Sequence, residues 1–244
     1  MSKRLYKPNS TNYGLSEAFF RSRGIDRWSR YVHIVNELRI TNGKGLSVLE
    51  VGSGGKGISG FLSSLEWDYF ALDIQKDALR DLKKSHKVVG DGCRLPFKDK
   101  AFDIVISVDT AEHIPKTIRH NFYEELKRVH KKKIVVTCPM QSNDGLFQGK
   151  RYDLTFQYFY QKEKGIEESN TAQHIASDHP TLNELKKEFP SSKICGYKNC
   201  DIWLKYMLFS LKPLIGLFCG LLYYLFWKKN DGKPPYWGAI IVAN

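Results

Sequence analysis

Three glycines, Gly52, Gly54 and Gly57, leave the end of an apolar run in the stretch LEVGSGGKG, residues 49–57. Backbone without a Cβ can turn sharply and lie close to a ligand, although glycine clusters also build tight loops that bind nothing. Such a loop could receive a dinucleotide pyrophosphate, a nucleoside triphosphate or S-adenosylmethionine. Lys56 is followed by Gly57 rather than Ser or Thr, which excludes a Walker A loop. The spacing Gly52-x-Gly54-x-x-Gly57 fits the dinucleotide fingerprint, with Asp73 about 20 residues on. Two acids separate the remaining ligands. Glu50 precedes the glycines, where a carboxylate suits an ammonium group and lies awkwardly beside a pyrophosphate. Asp91, in GDGCRLPF, could accept a hydrogen bond from an adenine amino group, with Gly92 and Cys93 offering backbone contacts beside it.

These residues need strand ends to carry them. LSVLEV (46–51) reads as a buried parallel strand, followed by strands at 69–74, 87–91, 102–108 and 133–139. Helical patterns at 15–40, 58–65, 76–84 and 120–132 alternate with them. That alternation predicts a doubly wound α/β fold with a parallel sheet covered on both faces. Two further strands are expected at 192–197 and 237–243, and 140–180 reads as polar, aromatic-rich and without period.

VLEVGSGGKG, ALDI, GDGCRLPFKDKAFDIVISVDTAEH and the final YWGAIIVA together resemble class I S-adenosylmethionine-dependent methyltransferases. The nearest branch is the one acting on quinones, sugars and lipids. The resemblance implies a Rossmann-like, doubly wound sheet of seven strands, mostly parallel with the last antiparallel. It also implies S-adenosylmethionine as cofactor. Glu50 and Gly52 would hold its methionine end and Gly54 would give the backbone room. Asp73 would take the ribose hydroxyls and Asp91 the adenine amino group. Ile74 and Cys93 would flank the ring, and Asp109 would lie near the methionine part. The doubled glycine Gly54-Gly55 before Lys56 departs from the family pattern. One domain is expected: a helical cap at 1–43, a cofactor-binding core at 44–139, an acceptor lid at 140–180 and an apolar helical insertion at 201–230.

Methyl transfer is an in-line displacement that needs alignment and sometimes a base. His113, just after the fourth strand, is the best-placed candidate, against the alternative of a histidine tied to a backbone carbonyl. His174, Asp178 and His179 could reach the acceptor from the lid, or be solvated loop residues. Cys138 in TCP resembles the nucleophile of cytosine-C5 RNA methyltransferases, but the companion Pro-Cys after the fourth strand is missing. PPY (234–236) stands before the last strand, where it reads as a turn. Nucleic acid is therefore a weak partner expectation. RNA methylation and a non-catalytic nucleotide-binding module are the alternatives.

The chain has 244 residues, 42% hydrophobic and 26% charged, with a net charge of +12 that favours polyanions. Five cysteines without a CxxC pair predict reduced thiols and no metal site, hence a cytoplasmic setting. From Pro213 to Trp227 there are 15 residues without a charge, edged by lysines. This is short for a span of about 20 residues, and it lies between two strands of one sheet. Two short helices, at 202–211 and 213–228, are expected to make one-sided contact with an anionic membrane surface, at the inner membrane face. A buried hairpin or a dimer interface is the alternative. The acceptor is then a small or lipid-linked molecule.

Overall fold

The computed structural model describes residues 24–39, 45–55, 57–58, 67–82, 85–216 and 218–244. Among the described residues seven strands form: β1 (Ser47–Val51), β2 (Asp68–Asp73), β3 (His86–Val89), β4 (Phe102–Val108), β5 (His130–Pro139), β6 (Lys193–Asn199) and β7 (Tyr236–Ala243). Their order is β3-β2-β1-β4-β5-β7-β6, mostly parallel with one antiparallel strand. β1 pairs in parallel with β2 and β4, β2 with β3, and β4 with β5. This is the expected Rossmann-like, doubly wound sheet. The strand order reverses between β1 and β4, where such sheets open a ligand crevice beyond the strands' carboxyl ends.

The chain divides into two compact units. The first comprises Ile34–Cys138, Asn183–Ile194 and Ile240–Asn244. Val48, Leu49, Val51, Ile104, Val105 and Ile106 are fully or almost fully buried in its core, as suits strands covered on both faces. Helix α1 (Ile25–Arg39), within the helical pattern expected at 15–40, buries Ile34 and Leu38, and helix α2 (Arg119–Val129) buries Phe122, Leu126 and Val129 at a 3–4 spacing. The helix expected to run to 132 stops at Val129, because His130 already pairs with Phe102 and begins β5. The helix expected at 76–84 is reduced among the described residues to a single 3-10 turn, Lys76–Leu79, of which only Leu79 is buried. Leu79 and Leu82 are both buried, and the Leu82 N–H donates to the Leu79 carbonyl at 3.3 Å, an i to i+3 bond like those of the 3-10 turn. Most of the expected 58–65 helix lies outside the described residues, as do Phe19 and Phe20.

The second unit comprises Met1–His33, Pro139–Leu182 and Cys195–Ala239. Its helices are α3 (Gly149–Lys164), α4 (Ser169–Ala176) and α5 (Cys200–Ser210). The first two lie where the sequence shows no period. The reason is chemical: α3 buries Asp153 and Gln157 beside Phe156. Asp153 is held in the core by the indole N–H of Trp237, at 2.9 Å, so a polar residue occupies a place that hydropathy assigns to solvent. Helix α5 begins at Asn199, whose side chain accepts the Ile202 N–H at 3.0 Å, an N-cap. Beyond Pro213 the expected continuous helix is broken. The described pieces are Pro213–Gly216, Cys219–Leu222 and a π-helical turn, Tyr223–Trp227. No helix among the described residues is long and apolar enough to cross a membrane.

Candidate functional site

At the carboxyl ends of β1, β2 and β4 the first unit holds a cavity of about 430 Å³. Eight of the ten expected residues line it: Gly52, Gly54, Asp73, Ile74, Asp91, Gly92, Cys93 and His113. Glu50 and Asp109 are not in its wall.

The glycine loop is tied down by backbone hydrogen bonds, and at Gly52 it has no room for a side chain. Gly52 and Ser53 donate their N–H groups to the Leu72 carbonyl at 2.9 and 3.1 Å, tying the loop to β2. Gly52 has φ +74°, and a Cβ there would sit 2.3 Å from Thr110 Oγ1. Both its conformation and its neighbour therefore demand glycine. Gly54 N–H donates to Asp73 Oδ2 at 2.9 Å, and Gln75 N–H to Asp73 Oδ1 at 2.9 Å. Each Asp73 oxygen thus has a backbone donor and a second lone pair available to a ligand hydroxyl.

Glu50 works from below the loop. It is fully buried, and its Oε2 accepts the Ile58 N–H at 2.8 Å together with the Tyr69 hydroxyl. The carboxylate fixes where the loop ends rather than facing the cavity. Asp109 sits one residue past β4 with φ +47°, a left-handed conformation that Asp tolerates better than most residues. Its N–H donates to the Thr137 carbonyl at 3.0 Å, and Thr137 Oγ1 donates to its Oδ1 at 3.1 Å. Those bonds turn it toward β5.

On the other side, Asp91 Oδ1 accepts the Cys93 N–H at 2.8 Å in a tight turn. Burial and the neighbouring Asp91 raise the Cys93 thiol above its ordinary value, so Cys93 is a packing group here. A Cβ on Gly92 would come within 3.1 Å of Val51 and 3.0 Å of Phe122. Glycine lets this turn close down on them. Ile74 is 69% exposed, an apolar side chain at the cavity edge suited to cover a flat ring.

The sequence reading missed the segment after β4. Thr110, Ile114, Pro115, Ile118 and Phe122 all line the cavity. Their signal in the sequence is slight: in TAEHIPKTI the apolar Ile114, Pro115 and Ile118 are scattered among polar and charged residues and follow no fixed spacing. His113 belongs to this wall, with its side chain 36% exposed and its Nε2 3.8 Å from Glu112.

The lining tests the ligand. It carries two carboxylates, Asp73 and Asp91, and neither Lys nor Arg among the described residues. A cationic, adenine-bearing ligand fits that set. Cys138 is fully buried and its thiol is pushed well up by burial, so it is no nucleophile. In the second unit His174 and His179 are both buried, and His179 Nε2 bonds the His174 carbonyl at 2.9 Å. Asp178 is exposed.

Residues 49–136 match a family model described as a methyltransferase domain. Among solved structures, the chain is similar to a protein of an antibiotic biosynthesis pathway from Anabaena variabilis, described as a methyltransferase. The identity is 13%, the coverage 88% of this chain and 99% of that one, and the TM-score 0.54. It is also similar to phosphoethanolamine N-methyltransferase 2 of Haemonchus contortus in complex with phosphomonomethylethanolamine and S-adenosylhomocysteine. There the identity is 15%, the coverage 94% of this chain and 60% of that one, and the TM-score 0.52. At such identities the likeness is one of fold. No curated protein matches the chain.

Proposed function

We propose that this chain, a class I S-adenosylmethionine-dependent methyltransferase, passes a methyl group to a small or lipid-linked acceptor such as a glycan intermediate, a quinone or another polyisoprenoid. The observation that carries the lipid-linked reading is the exposed apolar tip of residues 213–227, edged by lysines, on an enzyme that contains a built cofactor cleft. It supports one-sided contact with an anionic membrane surface at the cytoplasmic face.

When bound, the cofactor supplies a methyl group already activated by its sulfonium. The chain's residues have to hold and align it. In this reading Asp73 accepts the ribose hydroxyls, with Gly54 N–H keeping its carboxylate in place. Asp91 accepts from the adenine amino group while Ile74 and Cys93 cover the ring. Gly52 lets the backbone approach the methionine end, and Glu50 acts there through the loop it fixes. Asp109 supports the same end from behind β4. His113 is the proposed base or positioning group, because it is the titratable side chain on the wall after β4. Residues 140–180 are assigned to the acceptor side from their place in the chain, directly after β5.

The test is incubation of the protein with isotopically labelled S-adenosylmethionine and a membrane extract, followed by mass spectrometry of the products. Label in a lipid-extractable species is expected. Label confined to RNA would overturn the acceptor assignment.

A further inference from the structure

The apolar excursion is closed at its base. Asn199 N–H donates to both the Asp231 carbonyl and its Oδ1, at 3.1 and 3.0 Å. The Asn199 side-chain amide donates to the Lys233 carbonyl at 3.0 Å, and Cys200 N–H to the Pro235 carbonyl at 2.8 Å. Residues 199 and 231 therefore meet, and the chain between them leaves and returns at one point. Its base is braced by α3. Tyr152 Oη donates to Asp201 at 2.5 Å and Lys212 Nζ to Glu163 at 2.6 Å, and both contacts join residues 49 apart. The two helices thus run side by side in the same direction. The brace ends at Lys212, where the apolar tip begins.

The tip is two-sided. Its inner side is finished: Tyr223 donates its hydroxyl to Asp231 and packs edge-on against Trp28 at 5.6 Å, and Cys219 is fully buried. Its outer side is apolar and in water, with Leu214 78%, Phe226 64%, Leu225 55%, Phe218 47% and Ile215 42% exposed. Between Asp201 and Asp231 the sequence has four lysines, 205, 212, 228 and 229, and no acid. With Lys212 paired to Glu163, the cationic edge of the tip is Lys228 and Lys229, and that charge selects its partner. A second copy of the same surface would bring lysine against lysine. An anionic lipid surface takes both the side chains and the charge.

We propose that this tip is a membrane-docking foot. Leu214, Ile215, Phe218, Leu225 and Phe226 enter the headgroup boundary of an anionic bilayer, and Lys228 and Lys229 lie among its phosphates. The proposal rests on the lipid-linked reading above and gives it a surface. The closed base makes the contact one-sided.

Flotation of the full chain with vesicles tests it. Phosphatidylcholine vesicles are compared with vesicles that also contain phosphatidylglycerol, for wild type, Leu214→Ser/Ile215→Ser/Leu225→Ser/Phe226→Ser and Lys228→Glu/Lys229→Glu. Each variant is first checked for wild-type S-adenosylmethionine binding, which reports a folded protein independently of the tip. Wild type is expected to float with the anionic vesicles, with both variants and the neutral vesicles lowering the bound fraction roughly tenfold or more. Three results overturn the proposal: no flotation of wild type, equal flotation of all three proteins, or a wild-type dimer in sedimentation that the serine variant dissolves. Methylated lipid without flotation refutes the foot alone. Flotation without a methylated lipid refutes the acceptor reading alone.

Discussion

At Gly52 a single hydrogen in place of a methyl group decides whether the cleft can exist. A Cβ would overlap Thr110 Oγ1 at 2.3 Å, and φ +74° would be strained besides. Gly52→Ala is expected to weaken S-adenosylmethionine binding at least about tenfold and to lower stability by roughly 1–3 kcal/mol. Adding Thr110→Ala removes the collision but leaves the strain, so the double variant should recover part of both losses. Calorimetry and urea melts of the two variants check this, and a double variant no better than the single would remove the collision from the account. Asp73→Ala is predicted to cost about 1–3 kcal/mol of cofactor binding, the range for hydrogen bonds to a charged acceptor. Unchanged affinity would show that the ribose is held elsewhere. His113→Ala should lower turnover and leave cofactor affinity nearly intact, measured where chemistry limits the rate. Equal turnover would take His113 out of the mechanism.

Elements were legible where local pattern and burial agree. β4 was read to its exact ends, because FDIVISV is apolar nearly throughout and buried nearly throughout. The loop between β1 and β2 was legible for a different reason: positive φ and close approach leave only glycine, so the chemistry shows in the letters. Helix α3 was not legible, since its buried Asp153 and Gln157 are polar residues that only a partner distant in sequence makes tolerable. The role of Glu50 was half legible. An acid beside a glycine loop is visible in the sequence, but that it bonds Ile58 and Tyr69 below the loop depends on the pairing of β1 with β2. Glu50→Gln should therefore act on the element. The amide keeps one acceptor oxygen for Ile58 N–H and Tyr69 Oη to share. The Ile58 bond loses its charge assistance, for a loss of roughly 1–2 kcal/mol in a urea melt. A variant as stable as wild type would mean that the loop holds its shape without the carboxylate.

At the scale of the whole molecule, acid sensitivity follows from histidines folded in their neutral form. Burial, aided by the nearby Lys198, lowers His33 to about 4, and neither of its ring nitrogens has a hydrogen-bond partner. Burial also lowers His179 to about 4, against the pull of its bond to the His174 carbonyl. An unfolded histidine takes its proton near pH 6.5, so between about 6.5 and 4 the unfolded chain binds protons that the folded chain refuses. Stability is full above that window and falls as pH drops through it, by up to about 1.4 kcal/mol per pH unit for each histidine. Asp231 opposes part of this. Burial raises its carboxyl, so its contribution falls as pH rises through the folded value. Asp26, held well below the usual carboxylate range by Arg30 and Lys198 despite its burial, adds a further loss as pH falls past the usual carboxylate value. His33→Phe isolates one of these contributions, because the ring packs edge-on to Tyr197 at 5.9 Å and gives up no hydrogen bond. Urea melts at pH 7.5, 5.5 and 4.5 should show wild type losing stability steeply and His33→Phe losing less, with the two equal or the variant ahead at pH 7.5. Parallel curves across the window would mean that His33 is protonated inside the fold, and the acid limb would then have to come from the carboxylates.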